Sequence, residues 1–174
     1  MSSDEQVRAA AFAQIRQFGD PALREKSNRA EIDDDLLELV ERMTKIMYGA
    51  HGVGLAAPQI GVLQQVIVFI LEDKLRVLIN PEITWKSEET VTDAEGCLSL
   101  ADLACEVERA ERIKVEGTDL AGKRQEYELE GMNARILQHE IDHLKGTMII
   151  NRTSKEQRKA LLARLRQMKL PGEE

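Results

Sequence analysis

Residues 132–145 read Met132-Asn-Ala-Arg-Ile-Leu-Gln-His139-Glu140-Ile-Asp142-His143-Leu-Lys145, and this stretch organises the rest of the chain. It predicts a helix, with Gly146 as its stop. His139 and His143 are four residues apart, so both imidazoles project from one helical face, one turn apart. Two imidazoles so placed can grip one metal ion. Glu140 follows the first of them and can reach a water held beside that ion without being a ligand itself. The fit to H-E-x-x-H points to hydrolytic metal chemistry, and it leaves a third ligand to be found.

Outward from this helix, the apolar spacing of Leu36, Leu37, Val40, Met43 and Met47 predicts a helix over 33–50, capped by Asp33–Asp35. Residues 52–61 read as a glycine-rich loop. Strands are expected at 65–71, at 76–80 (stopped by Pro81), at 104–108, 113–118 and 125–129, and at 148–150. Ser154 with Gln157 forms a capping box for a last helix over 155–169. Its inward stripe is Leu161, Leu162, Leu165 and Met168, and Pro171-Gly172 follows. Strands placed before and around a central helix, without βαβ alternation, predict an α+β fold. The expectation is mixed or antiparallel β-sheets around the metal-binding helix, with a C-terminal helix. A chain of 174 residues reads as a single domain over 1–174, its core at about 15–150 and its basic helix at about 154–169.

No apolar run approaches the roughly 20 residues of a membrane helix. The start, Met-Ser-Ser-Asp-Glu, carries neither a basic region nor an apolar signal core, so a cytoplasmic location is expected. Cys97 and Cys105 are the two cysteines; a disulfide between them would rarely persist in that compartment, and a free thiol is a ligand candidate. The net charge of -7 speaks against general or sequence-specific nucleic-acid binding. Yet residues 152–169 hold seven Lys/Arg against the single acid Glu156, a local excess of +6. That helix is either a solvated face or a docking element for an anionic partner.

Two further segments bear on the metal. In Gly52-Val-Gly-Leu-Ala-Ala-Pro-Gln59-Ile-Gly61, Gln59 is a polar side chain among apolar ones. It reads either as a buried amide serving loop carbonyls or as a fixed N–H donor aimed at a developing oxyanion. In Glu95-Gly-Cys97-Leu-Ser99, Cys97 reads either as a small buried hydrophobe or as a thiolate ligand. The second choice gives Cys-His-His with an open fourth position, the pattern of a catalytic site. Such ligands suit Fe(II), Zn(II), Co(II) or Ni(II).

Taken together, Gly52–Gln59, Glu95–Ser99 and Gln138–Leu144 closely resemble the peptide deformylase family, over roughly residues 15 to 150. The resemblance implies a metallohydrolase that removes the formyl group from N-formylmethionyl nascent peptides and releases formate. It implies Cys97, His139 and His143 as metal ligands, Glu140 as general acid/base, and Gln59 with the Leu98 N–H as oxyanion donors. It also implies a role for Gly54 in holding the peptide as an added strand, with Val53, Gly54 and Glu95 near the methionine pocket. Gln138 and Asp142 are implied as support. Fe(II) is the implied metal, and the relatives' C-terminal helix implies ribosome docking through residues 152–169.

Two departures stand out. The family often has Pro two residues after the Ser of E-G-C-L-S, where this chain has Leu100-Ala101-Asp102. Arg135 occupies a place often apolar in relatives, and reads as a structural partner of Glu95, as a substrate contact or as a cap on the pocket edge. A zinc endopeptidase is the competing enzyme, but it needs a third His or acid downstream, and no His follows His143. An inactive ribosome-binding relative is the non-enzyme alternative; nothing in the sequence supports it, since every ligand and Glu140 are present.

Overall fold

The computed structural model describes residues 1–169. Helix α1 (Ser3–Ala13) begins on a capping box, with the Ser2 hydroxyl accepting the Glu5 N–H and the Glu5 carboxylate accepting the Ser2 N–H. The sequence reading contains no helix here, because Ala9–Ala11 give no apolar stripe to count. Helix α2 (Asp34–Gly49) starts at Asp33, whose carboxylate accepts the Leu36 N–H. It buries Leu36, Val40, Met43, Ile46 and Met47. Leu37, expected on that stripe, is 45% exposed, since it lies about 100° around the helix from Leu36.

Seven strands follow among the described residues: β1 (Gly54–Ala56), β2 (Val66–Leu71), β3 (Lys74–Lys86), β4 (Thr90–Cys97), β5 (Leu103–Ala110), β6 (Arg112–Thr118) and β7 (Arg124–Glu130). Five form an antiparallel sheet in the order β1-β2-β3-β6-β7, while β4 and β5 form a separate two-stranded sheet. The expected loop at 52–61 therefore contains β1 and a 3-10 turn over Ala57–Ile60. Pro81 does not end β3. The register slips by one residue between Ile79 and Glu82, and Asn80 takes φ 52°, so a bulge carries the proline past the ladder.

Helix α3 (Gly131–Leu144) is the metal-binding helix read from the sequence. Ala134, Leu137, Ile141 and Leu144 recur at three- and four-residue steps and pack with Ile67, Phe69 and Leu78 of the large sheet. Phe69 and Leu78 are fully buried, each a contribution of about 1.5–3 kcal/mol. The stripe turned the other way, through Arg135, His139 and Asp142, faces the β4–β5 sheet, which bonds to each of them or lies within reach. Gly146 ends the helix at φ 73°, and a Cβ there would sit 2.4 Å from the Arg24 carbonyl oxygen.

The run Met148–Ile150, expected as a strand, instead opens a short helix, α4 (Ile149–Arg152). The Asn151 side chain accepts the Met148 N–H, and Ile149 and Ile150 bury against Leu161 and Leu165. Short apolar runs carry no period that separates a strand from a helical turn. Helix α5 (Lys155–Lys169) packs Leu161 and Leu165 on the β4–β5 sheet. The Ser154 hydroxyl accepts the Gln157 N–H as expected, but the Gln157 side chain binds Glu106 of β5 rather than closing the box. Met168, expected inside, is 52% exposed. Pro171-Gly172 lies outside the described residues.

Candidate active site

The three sequence segments meet where α3, β1 and β4 converge. Cys97 ends β4, and His139 and His143 come from α3. Their ligand atoms all lie within 4.8 Å of one another; Cys97 Sγ is 3.7 Å from His143 Nε2, which is 3.3 Å from His139 Nε2. Three electron-pair donors pointed at one spot, in a buried place, are stable together around a cation. One sulfur and two imidazole nitrogens form a donor set suited to a borderline-soft divalent ion. The residues fit a bound metal.

A network of buried charges holds them there. His139 Nδ1 lies 2.8 Å from Glu95 Oε1, which leaves Nε2 for the metal. Arg109 grips Glu95 through two bonds, at 2.9 and 3.0 Å, and donates to Asp142. Arg152 also binds Asp142. Arg135 donates to Glu95 and to the carbonyls of Val107 and Val91, so it is the structural partner of Glu95. Burial would raise the Glu95 pKa, but His139 and Arg109 outweigh it and hold the carboxyl at about 2. Gln138 supports the end of β5, donating to the Ala110 carbonyl and accepting its N–H.

Glu140 is different. Burial pushes its carboxyl up to about 7, and Oε2 has no hydrogen-bond partner. A carboxyl near neutral pKa, buried beside a metal site, is suited to taking and returning a proton. Burial also carries His143 well below the usual imidazole range, which keeps a ligand nitrogen free of its proton.

Around this centre lies a cavity of about 320 Å³. Val53, Gly54, Gln59, Glu95 and Leu98 all line it, so every sequence-derived site residue is at or beside one cleft. Gln59 is oriented from both ends: its Oε1 accepts the Ala56 N–H and its Nε2 donates to the Ser99 hydroxyl at 3.1 Å. The second hydrogen on Nε2 is left for the cleft. Leu98 opens a 3-10 turn, where a backbone N–H has no partner inside the turn.

Gly54 touches Glu140 directly, and a Cβ there would lie 2.7 Å from Oε1. Strand β1 is the sheet's edge. Val53 turns its carbonyl toward β2, where it accepts the Ile70 N–H. The next residue, Gly54, therefore turns its N–H and C=O to the open side. After Ser99 the chain departs from the proline pattern: Ala101 has φ 51°, which a proline locked near -65° cannot adopt.

Arg109 is absent from the sequence reading. The strand expected at 104–108 stops one residue short of it; carried on, the inward alternation Cys105, Val107, Arg109 puts the guanidinium inside.

The chain is similar to known proteins over nearly its whole length. A sequence model described as "Polypeptide deformylase" matches residues 12–159. A peptide deformylase of Thermotoga sp. (strain RQ2) is 45% identical over 152 residues, covering 87% of this chain and 93% of the relative. The crystal structure of peptide deformylase from Thermotoga maritima superposes with a TM-score of 0.78 at 45% identity, covering 80% of this chain and 96% of that one. The Legionella pneumophila peptide deformylase reaches 0.84 at 36% identity, covering 89% and 94%. With the Cys97, His139 and His143 cluster beside a buried Glu140 on this fold, the chain belongs to the peptide deformylase family, metal-dependent hydrolases that remove the N-formyl group from nascent polypeptides.

Proposed function

We propose that Cys97, His139 and His143 hold one divalent ion, Fe(II) in the active enzyme, with Zn(II), Ni(II) or Co(II) as substitutes. The observation that carries this reading is the convergence of the three ligand atoms within 4.8 Å beside the unpartnered Glu140 carboxylate. When bound, such an ion lowers the pKa of water and draws charge from a carbonyl oxygen.

The chain's own residues do the rest. Glu140 takes a proton from water, and the oxygen so freed bonds to the formyl carbon. The carbonyl oxygen becomes negative and receives the free Gln59 N–H and the Leu98 N–H; one such donor is typically worth about 3 kcal/mol. Glu140 then gives its proton to the amide nitrogen as the C–N bond breaks. Formate and a free amino terminus leave. The open N–H and C=O of Gly54 support binding of the peptide as an added strand at the β1 edge. Val53, Gly54 and the Glu95–Arg135 wall then border the methionine side chain.

The whole of residues 1–174 is assigned to one deformylase domain, working in the cytoplasm. Among the described residues no helix is long and apolar enough to cross a membrane. Helix α5 is assigned to ribosome docking, an assignment supported by exposed Lys155, Arg158, Lys159, Arg164 and Arg166 on its outer face.

The test is formate release from a formyl-Met tripeptide by anaerobically prepared, Fe(II)-loaded protein, with the acetyl-Met peptide as control. Release from the formyl peptide alone is expected. No release at full metal occupancy would overturn the assignment of these residues to that chemistry.

A further inference from the structure

The segment that joins Cys97 to β5 reads Leu98-Ser-Leu-Ala-Asp102, with neither glycine nor proline. It nevertheless passes through the left-handed region twice in succession, with φ 51° at Ala101 and 60° at Asp102. Residues with a Cβ resist that conformation, so two in a row stay there only where their surroundings hold them. The turn bears directly on the site. The Asp102 N–H donates to the Cys97 carbonyl at 3.1 Å. That carbonyl shares a peptide plane with the Leu98 N–H, and in a trans peptide the two point in opposite directions. Whatever holds Asp102 in place therefore aims the Leu98 N–H.

Two side chains from the N-terminal part of the chain hold this turn. Gln17 uses both ends of its carboxamide: Oε1 accepts the Ala101 N–H at 2.9 Å, and Nε2 donates to the Leu98 carbonyl at 2.9 Å. A proline at 101 would have no N–H to give, so the contact with Gln17 belongs to the pattern that this chain has instead. Arg8 of α1 reaches the next residue, with Nη2 3.0 Å from Asp102 Oδ2. The backbone beside Gln17 adds a third tie, as the Phe18 N–H donates to the Ser99 carbonyl at 2.8 Å. The carbonyls of Cys97, Leu98 and Ser99 are thus each taken by a donor. Neither Gln17 nor Arg8 lines the cleft, so any effect they have on turnover passes through the turn.

We propose that Gln17, supported by Arg8, is a positioning residue that aims the Leu98 N–H at the developing oxyanion. This rests on the reading of Gln59 and Leu98 as oxyanion donors. The negative oxygen exists only as the reaction proceeds, so a misaimed donor costs turnover and leaves substrate binding nearly unchanged. Loss of a whole donor costs roughly 10²- to 10³-fold in kcat; one that is present but free to swing keeps part of its effect.

The experiment compares Gln17→Leu with the parent, both as the Fe(II)-loaded full chain, on a formyl-Met tripeptide. The variant should lose about tenfold in kcat and keep KM within about twofold. Metal content by elemental analysis and melting temperature should be nearly unchanged. In the zinc-loaded protein, hydrogen exchange at the Asp102 amide, followed by NMR, should quicken about tenfold as its bond to Cys97 opens more often. Arg8→Met guards against misfolding of Gln17→Leu, since it keeps an apolar chain over the Phe12 ring, where the guanidinium lies 5.4 Å from the centroid. It breaks a half-exposed pair, so kcat should fall about two- to threefold, and the gap from the parent should close in 1 M salt. An unchanged kcat in both variants, a loss confined to KM, or a loss that tracks metal content would overturn the proposal. Gln59→Leu removes the other donor and should lower kcat by about 10²-fold. If it does not, the reading of the oxyanion donors fails; if it does while Gln17→Leu leaves kcat unchanged, the positioning role alone fails.

Discussion

At the scale of single residues, Glu140 and Gly54 work as one unit. The carboxylate is buried, held up near neutral pKa, and short of a partner, while Gly54 presses on it from the edge strand. Replacing Glu140 by Gln keeps the shape but removes the group that accepts a proton. Turnover should fall by at least about 10²-fold, the lower range of general acid–base catalysis. Metal content by elemental analysis should be unchanged. Retained turnover would remove Glu140 from the proton transfer. Gly54→Ala tests the same contact from the other side. Its Cβ would lie 2.7 Å from Oε1, so the carboxylate must shift, and a misplacement of about 1 Å can cost 10²-fold. A fall in kcat with a nearly unchanged melting temperature is expected; an unaltered kcat would show that Glu140 tolerates the displacement.

At the scale of elements, the site is made by locking β4 and β5 onto α3 through buried charge. Arg109 of β5 joins Glu95 of β4 to Asp142 of α3, and all three are nearly inaccessible to solvent. Buried charges stabilise only as complete sets, because a lone buried carboxylate has lost its water without gaining a partner. Arg109→Met should lower unfolding free energy by about 3 kcal/mol in urea titration. Arg112→Met removes a half-exposed pair with Glu89 and should cost less than about 1 kcal/mol. Equal costs would mean that the buried set contributes no more than surface charge. This network also marks the limit of what the sequence made legible. His139, Glu140 and His143 could be read because their relation is local, fixed by helical spacing. Glu95, Arg109 and Asp142 are distant in sequence, and only the packed sheet brings them together. Strand β1 was missed because three residues carry no countable period, and α4 was misread because two isoleucines suit either structure. Pro81 stopped the reading of β3, although a bulge at Asn80 lets the strand continue.

At the scale of the whole molecule, charge is segregated. Residues 152–169 carry an excess of +6 on a chain whose net charge is -7. Leu161 and Leu165 pin α5 to the same β4–β5 sheet that ends in Cys97, and Gln157 ties it to Glu106. The outward face, with Arg158, Lys159 and Arg166, is exposed. A polyanion bound there would hold the β4–β5 unit, and with it the cleft, in a fixed orientation. For an enzyme of nascent chains, that would place the groove beside the emerging peptide rather than add to the chemistry. Docking and catalysis should then separate experimentally. The triple variant Arg158→Glu, Lys159→Glu and Arg166→Glu should lose co-sedimentation with ribosomes at low salt. Each phosphate contact removed should lower the slope of log affinity against log salt by about 0.7 to 0.9. Formate release from a formyl-Met tripeptide reports that the variant remains folded, because α5 contributes no residue to the cavity lining. If co-sedimentation and its salt slope match those of the parent chain, the basic face is a solvated surface and the docking assignment fails.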